Sequence, residues 1–140
     1  MNNKLTKLII SILIPLGGGF LIGAISNTTN YNLFVPPIVF PIVWTILYTL
    51  MGISSYLVKI NGGNLFLYFF QLVINFLWPI VYFNFDAKFL ALLILIFLII
   101  LVINMINQFK DYSKFAAKLQ IPYLLWLSFA LFLNIISLLK

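Results

Sequence analysis

The chain has 140 residues, of which 64% are hydrophobic and only 7% are charged, whereas a soluble domain carries about a quarter charged residues. The net charge is +6, and the absence of cysteine and histidine excludes disulfides, thiolate chemistry and the usual general base and metal ligand. We therefore predict one polytopic membrane domain, 1–140, with no metal and no cofactor. The lysines cluster at the ends of the apolar stretches, so they indicate membrane orientation and not a nucleic-acid partner.

The first apolar stretch, 5–26, is predicted to be a membrane span. Lys4 and Lys7 before an apolar run resemble a secretory signal, but the run from Leu8 to Ile25 is about 18 residues long and a signal core has roughly 7–15. We interpret it as a retained span, with a cleaved signal as the alternative. Gly19 and Gly23 form a G-x-x-x-G pattern, which permits close helix approach. These two glycines are predicted to lie in a helix–helix contact. We favour a contact between the two copies of a homodimer.

The second and third stretches, 38–58 and 65–83, carry polar and aromatic residues at helical spacing. Trp44 and Tyr48 share one helix face, and Gln71, Asn75 and Trp78 share another. An amide inside a bilayer is costly unless it is bonded, so this second face is predicted to point into the bundle. It either bonds neighbouring helices or also forms the wall of a pocket. An interfacial aromatic belt is the alternative for Trp78.

The fourth and fifth stretches, 89–108 and 115–138, complete the predicted spans. Trp126 lies too deep for an interfacial belt, and it shares a stripe with Tyr123, Ala130 and Asn134. No carboxylate lies within any apolar run. A proton-coupled pump or antiporter would therefore lack its proton carrier.

Continuous apolar runs of this length predict membrane helices, because the strands of a barrel would alternate. The fold class is therefore an all-α membrane bundle of five helices. Six of the eight lysines fall on the side of the N-terminus, and only Lys88 and Lys140 fall on the other. This asymmetry predicts a cytoplasmic N-terminus and an external C-terminus. We expect a multi-pass protein of a cell membrane, and among cell membranes we favour the bacterial cytoplasmic membrane.

Three motifs together resemble the TspO/MBR family of tryptophan-rich sensory and translocator proteins, which includes the peripheral benzodiazepine receptor. Residues 36–48 read PPIVFPIVWTILY and resemble the second-helix signature of that family. The third predicted span resembles the third-helix pattern of the family through Gln71, Asn75 and Trp78, followed by Phe83-Asn84. The fifth predicted span resembles the fifth-helix pattern of the family through the residues at 116–119, 122–123, 126, 129–130 and 133–134.

The resemblance implies a five-helix bundle, usually dimeric, whose internal pocket is capped by the first loop. It implies ligands such as porphyrins, sterols and benzodiazepine- or isoquinoline-type compounds. Light-dependent porphyrin breakdown is described for similar proteins, and Trp44 and Trp126 are the corresponding candidate catalytic residues. The predicted ligand-binding residues are Phe34, Pro36, Trp44, Tyr48, Gln71, Asn75, Trp78, Tyr123, Trp126 and Ala130.

The leading hypothesis is a receptor that binds a porphyrin or a similar planar apolar molecule. A porphyrin-degrading enzyme, a transporter of small apolar molecules and a scaffold are the alternatives. The chain also departs from the family pattern. The segment between the double proline and Trp44 is one residue shorter, Phe34 is nearest to the usual loop tryptophan, and Ile94 replaces a common acidic residue. The segment 133–140 contains no tyrosine, so we do not expect the sterol-contact motif or sterol transport.

Overall fold

The computed structural model describes residues 3–26, 36 and 38–139. Phe34, Pro37 and the rest of the first loop lie outside these residues. In the described part, the helices in chain order are α1 (Asn3–Ile25), α2 (Val39–Ile60), α3 (Phe66–Pro79), α4 (Lys88–Lys110), α5 (Lys114–Leu119) and α6 (Ile121–Leu139), and α3 continues into a π-helical turn at Ile80–Asn84.

Five helical segments of the described chain are long and apolar enough to cross a membrane. The third of them joins α3 to its π-helical turn, and the fifth joins α5 to α6, which together extend over Lys114–Leu139. The described residues contain no strand. The prediction of an all-α membrane protein with five spanning helices is confirmed.

The fifth segment is divided near Gln120. Pro122 has no N–H group with which to continue the hydrogen bonds of α5, so the helix is interrupted and begins again at Ile121. Ser113 caps the first turn of α5, where its hydroxyl accepts a hydrogen bond from the Ala116 amide at 3.1 Å. The interruption gives α5 a different set of neighbours from α6. The short helix packs on α2 and α4, and α6 packs mainly on α4.

The helices follow the order α1, α2, α5 with α6, α4 and α3 around the bundle. The core is formed by fully buried side chains that include Met51, Val58, Val102, Met105 and Phe109. Lipid tails are as apolar as these side chains, so the bundle is held by close van der Waals packing and by hydrogen bonds between helices, and lipid contacts the remaining apolar surface.

Helix α1 is the outermost helix, and Pro15 is its only buried residue among those described. It approaches α2 most closely at Gly52, where an added Cβ would collide with the backbone of Ile12. This backbone contact fastens α1 to the bundle near the middle of its length.

The π-helical turn shapes the end of α3. The Phe85 amide donates to the Ile80 carbonyl at 3.1 Å, which closes a wider turn than an α-helix would. The end of this turn is fastened on two sides. Tyr82 donates its hydroxyl proton to Ser137 of α6 at 2.8 Å, and the Asn84 amide donates to the Ile25 carbonyl of α1 at 2.9 Å. The turn therefore holds the ends of α1, α3 and α6 together.

Candidate functional site

A cavity of about 650 Å³ lies between α1, α2 and α3. Its volume is within the range of roughly 300–1,000 Å³ that is typical of small-molecule sites. Its lining is apolar and aromatic, with a few neutral polar groups and no charged side chain among the described residues. Such a lining suits a mostly apolar ligand, because burying a charged group without a partner is costly.

The α2 wall of the cavity is aromatic. Trp44 stacks on Tyr48 with ring centroids 5.2 Å apart and ring planes inclined by 23°. The two residues lie one helical turn apart, so the helix itself brings their rings together. Phe40, Pro41 and Thr45 extend the same wall. The stacked pair therefore gives this wall of the cavity its aromatic character.

The α3 wall contributes Asn75, which lies within a buried hydrogen-bond network. Tyr48 donates to the Asn75 carbonyl oxygen Oδ1 at 2.6 Å, and the Asn75 amide Nδ2 donates to the Tyr123 hydroxyl at 2.8 Å. Tyr123 in turn donates to Gln71 Oε1 at 2.7 Å. The network joins α2, α3 and α6 and fixes the position of the Asn75 amide at the cavity.

Trp78 is held at the cavity by a second pair of bonds. Its indole Nε1 donates to Asn134 Oδ1 at 3.1 Å, and Asn134 Nδ2 donates to the Lys88 carbonyl at 3.0 Å. Because the indole N–H is bonded to α6, what Trp78 offers a ligand is its apolar ring. Lys88 lies near this region, where its ammonium group contacts Asp86 at 3.7 Å and lies 5.8 Å from the centre of the Tyr82 ring.

Four of the predicted ligand-binding residues lie behind the cavity wall. Gln71, Tyr123 and Ala130 are buried in the bundle and do not line the cavity. Trp126 meets Trp44 edge-on with centroids 6.3 Å apart, and it meets Phe40 at 5.6 Å. These residues support the wall: Tyr123 and Gln71 orient Asn75, and Trp126 packs behind Trp44.

Helix α1 forms the third wall, which the sequence analysis did not predict. Gly19 and Gly23 both line the cavity together with Leu16, Phe20 and Ala24. A Cβ at Gly19 would collide with the Tyr48 ring, whereas a Cβ at Gly23 would meet no atom within 4 Å. Gly19 therefore lies in a helix–helix contact within one chain. Its role and that of Gly23 in a dimer stay predictions.

The remaining predicted residues lie in or beside the first loop. Pro36 is exposed and does not line the cavity, and Phe34 lies outside the described residues. Pro79 and Phe83 were not predicted as ligand contacts, yet both line the cavity beside the π-helical turn. Pro79 was a local signal for an irregular helix end.

Comparison with known proteins identifies the relatives of the chain. A sequence profile of the TspO/MBR family matches residues 11–139. The tryptophan-rich protein TspO of Archaeoglobus fulgidus is 38% identical over 145 residues, which cover 94% of each chain. The protein of the same name from Chlorobaculum tepidum is 33% identical over 108 residues, 71% of this chain and 67% of that protein. The human translocator protein is 36% identical over 100 residues, 66% of this chain and 59% of that protein.

Proposed function

The chain belongs to the TspO/MBR family of multi-pass membrane proteins, and on this premise we propose that it is a receptor for a planar, mostly apolar molecule, most favourably a porphyrin. The proposed site is the cavity between α1, α2 and α3. The observation that carries the proposal is the combination of a stacked Trp44–Tyr48 pair with one fixed amide, Asn75, in a cavity of about 650 Å³ whose described lining carries no charge.

The chemistry of the lining suits a flat aromatic ligand. A ring system stacked against Trp44 gains offset π contact in addition to the burial of its area. Asn75 Oδ1 accepts one hydrogen bond and its Nδ2 donates one, so one lone pair and one N–H remain for the edge of a ligand. Benzodiazepine- and isoquinoline-type compounds satisfy the same requirements.

A porphyrin would have to leave its carboxylates outside this cavity. The described lining offers them no cation, and the nearby Lys88 is already engaged by Asp86. The rings would then lie between the helices and the carboxylates would face the outer membrane surface. With affinity supplied by stacking and burial alone, we expect a micromolar Kd, roughly −8 kcal/mol.

The proposal is tested by ligand quenching of tryptophan fluorescence in the purified protein. We expect Trp44→Ala and Asn75→Ala each to weaken protoporphyrin binding several-fold, because losing a stacked or bonded contact costs on the order of 1 kcal/mol. Phe66→Ala is the matched control, because Phe66 is exposed at the start of α3. Parental affinity in both cavity variants, with thermal stability retained, would exclude this cavity as the site.

A porphyrin-degrading activity is the second candidate function. It is favoured by the contact between Trp44, which lines the cavity, and Trp126, which lies behind it with its ring centroid 6.3 Å away. The two candidate catalytic residues are thus adjacent, although only Trp44 could touch the ligand directly. Illumination of the protein with protoporphyrin, followed by product analysis, tests this activity. Equal product from the parent and Trp44→Phe would exclude Trp44 from the reaction.

A further inference from the structure

Pro15 divides α1 into two halves that serve different parts of the bundle. The residues of this region that line the larger cavity, from Leu16 to Ser26, all follow Pro15. Residues of α1 between positions 7 and 14 instead line a smaller cavity, of about 350 Å³, at the other end of the helix. We call residues 16–25 the outer half of α1. Because α1 is the outermost helix, this half lies between the larger cavity and the surrounding lipid.

The inner half of α1 is held by α2 through a backbone contact. An added Cβ at Gly52 would collide with the Ser11 carbonyl oxygen and with the Ile12 backbone, so the two helices touch there with no side chain between them. Helix α1 packs mainly on α2 and much less on α3. The contact at Gly52 is therefore a fixed point, beyond which the rest of α1 can move relative to α3.

The chain directly after this contact is weak as a helix. Pro15 has no N–H group, so the Ser11 carbonyl lacks its usual donor within the helix. Three glycines follow at 17–19, and glycine in a helix interior is less favourable than alanine. Helices bend at proline and at pairs of small residues. Residues 15–19 therefore have the composition of a hinge between the two halves of α1.

Beyond the hinge, the end of the outer half is bonded to the π-helical turn. The Asn84 amide donates to the Ile25 carbonyl at 2.9 Å, and this bond is exposed. Water competes for an exposed hydrogen bond, so its net contribution is small. Packing between the hinge and this bond is sparse, since Phe20 and Leu21 are 67% and 65% exposed and a Cβ at Gly23 would meet no atom within 4 Å. Loss of the bond would therefore leave little to hold the outer half against α3.

We propose that the outer half of α1 is a gate to the larger cavity, with its hinge at 15–19 and its latch at the bond between Asn84 and Ile25. When the bond breaks, the outer half moves away from α3 while the inner half stays on α2. An apolar molecule then passes from the lipid into the cavity between α1 and α3, and the bond forms again behind it. The role of the gate in ligand exchange rests on the function proposed above, but the motion of α1 does not.

A gate of this kind changes rates and leaves affinity unaltered. Asn84 does not line the cavity, so Asn84→Ala removes the latch without removing a ligand contact. Losing one exposed hydrogen bond should favour the open state about fivefold. Because the latch is lost from the empty and the occupied protein alike, association and dissociation should both become about fivefold faster with an unchanged Kd.

Gly17→Ala should act in the opposite direction. Alanine makes the hinge a better helix, and a Cβ at Gly17 would meet no atom within 4 Å. Gly17 also lies outside the cavity lining. We therefore expect slower association and slower dissociation in this variant, again with an unchanged Kd.

The motion of α1 is measured without any ligand, by pulsed electron paramagnetic resonance on the protein in lipid. The chain has no cysteine, so spin labels can be attached to introduced cysteines at exposed positions. The pair Leu21→Cys/Phe85→Cys spans the latch, and the control pair Ile10→Cys/Phe66→Cys joins the inner half of α1 to the start of α3. We expect a second, longer distance for the outer pair only, with a population ratio that rises about fivefold in Asn84→Ala. An outer pair with one distance, unchanged in Asn84→Ala, would overturn the gate.

Ligand exchange is measured by stopped-flow quenching of tryptophan fluorescence with protoporphyrin. Asn107→Ala is the matched control, because Asn107 is exposed on α4 and should leave both rates at the parental value. A weaker Kd in Asn84→Ala with a parental association rate would make Asn84 a ligand contact and overturn the gate. If protoporphyrin fails to bind while the outer label pair still responds to Asn84→Ala, the proposed ligand is wrong and the gate is supported.

Discussion

At the scale of single residues, Asn75 connects the cavity to the interior of the bundle. Its amide lies at the cavity, and both its oxygen and its nitrogen are bonded to tyrosines on other helices. A buried network whose members orient one another holds a polar group more rigidly than a single bond would. The bilayer offers no water to replace these bonds. Specificity at this site would therefore come from a preset amide, with aromatic rings supplying the affinity.

Under the proposed function, the residues at the cavity also predict which tetrapyrroles would bind. Haem iron is usually held by His, Cys, Met or Tyr, but the chain has no His or Cys. Tyr48 is the only tyrosine of the described lining, and its hydroxyl is bonded to Asn75. We therefore expect metal-free protoporphyrin to bind about as tightly as haem in parallel titrations. A far tighter haem complex, with a spectrum showing ligation by a protein side chain, would contradict this arrangement.

Sequence spacing placed Gln71, Asn75 and Trp78 on one helix face. The structure shows why spacing alone could not say which of them line the cavity. Asn75 and Trp78 line the cavity, while Gln71 is buried and bonded to Tyr123. Spacing fixes the angle between residues on one helix but not the rotation of that helix against its neighbours. The five apolar spans were readable because length and hydropathy alone determine them.

At the scale of elements, α1 shows that a pattern of glycines predicts close helix packing but does not identify the partner helix. The spacing of Gly19 and Gly23 indicated close approach to another helix, and it could not say which helix. Gly19 packs against Tyr48 of the same chain, and Gly18 packs against Phe76. The small residues of α1 therefore make room for aromatic rings of α2 and α3. Nothing in the periodicity of α1 distinguished this partner from a second copy of the chain.

The contact between Gly19 and Tyr48 predicts that a large side chain at position 19 is more harmful than one at position 17 of the same helix. Gly19→Leu should displace the buried Tyr48 ring from Asn75, lower stability by about 1–3 kcal/mol and abolish most ligand binding. Gly17→Leu is the control, because a Cβ there would meet no atom within 4 Å. Thermal unfolding and fluorescence titration of both variants measure the difference. If the two variants behave alike, the packing of Gly19 on Tyr48 is not important for the site.

At the scale of the whole molecule, the two ends of the bundle differ in charge. Lys4 and Lys7 lie in the first turns of α1, at the end of the bundle that also holds Lys59 and Lys110. Lys88 lies at the other end, where Asp86 partly compensates it. The larger cavity is at this second end, beside the π-helical turn. The asymmetry therefore assigns this cavity to the membrane surface opposite the basic end.

The same asymmetry predicts the orientation of the chain. A reporter that is active only in the cytoplasm, fused after Lys140, should give no signal, because the positive-inside rule places that terminus outside. The same reporter fused before Met1 should be active and serves as the control. A strong signal from the C-terminal fusion would invert the orientation and place the larger cavity at the cytoplasmic surface.

Two residues that line the larger cavity, Phe20 and Ile38, are 67% and 64% exposed, so the cavity can be reached from the lipid that surrounds the helices. An apolar molecule partitions into lipid long before it meets the protein, so the bilayer acts as its reservoir. Occupancy then follows the mole fraction of ligand in the membrane and not its concentration in water. Doubling the lipid at constant protein and ligand dilutes that reservoir, so the apparent Kd should rise in proportion for every strongly partitioning ligand.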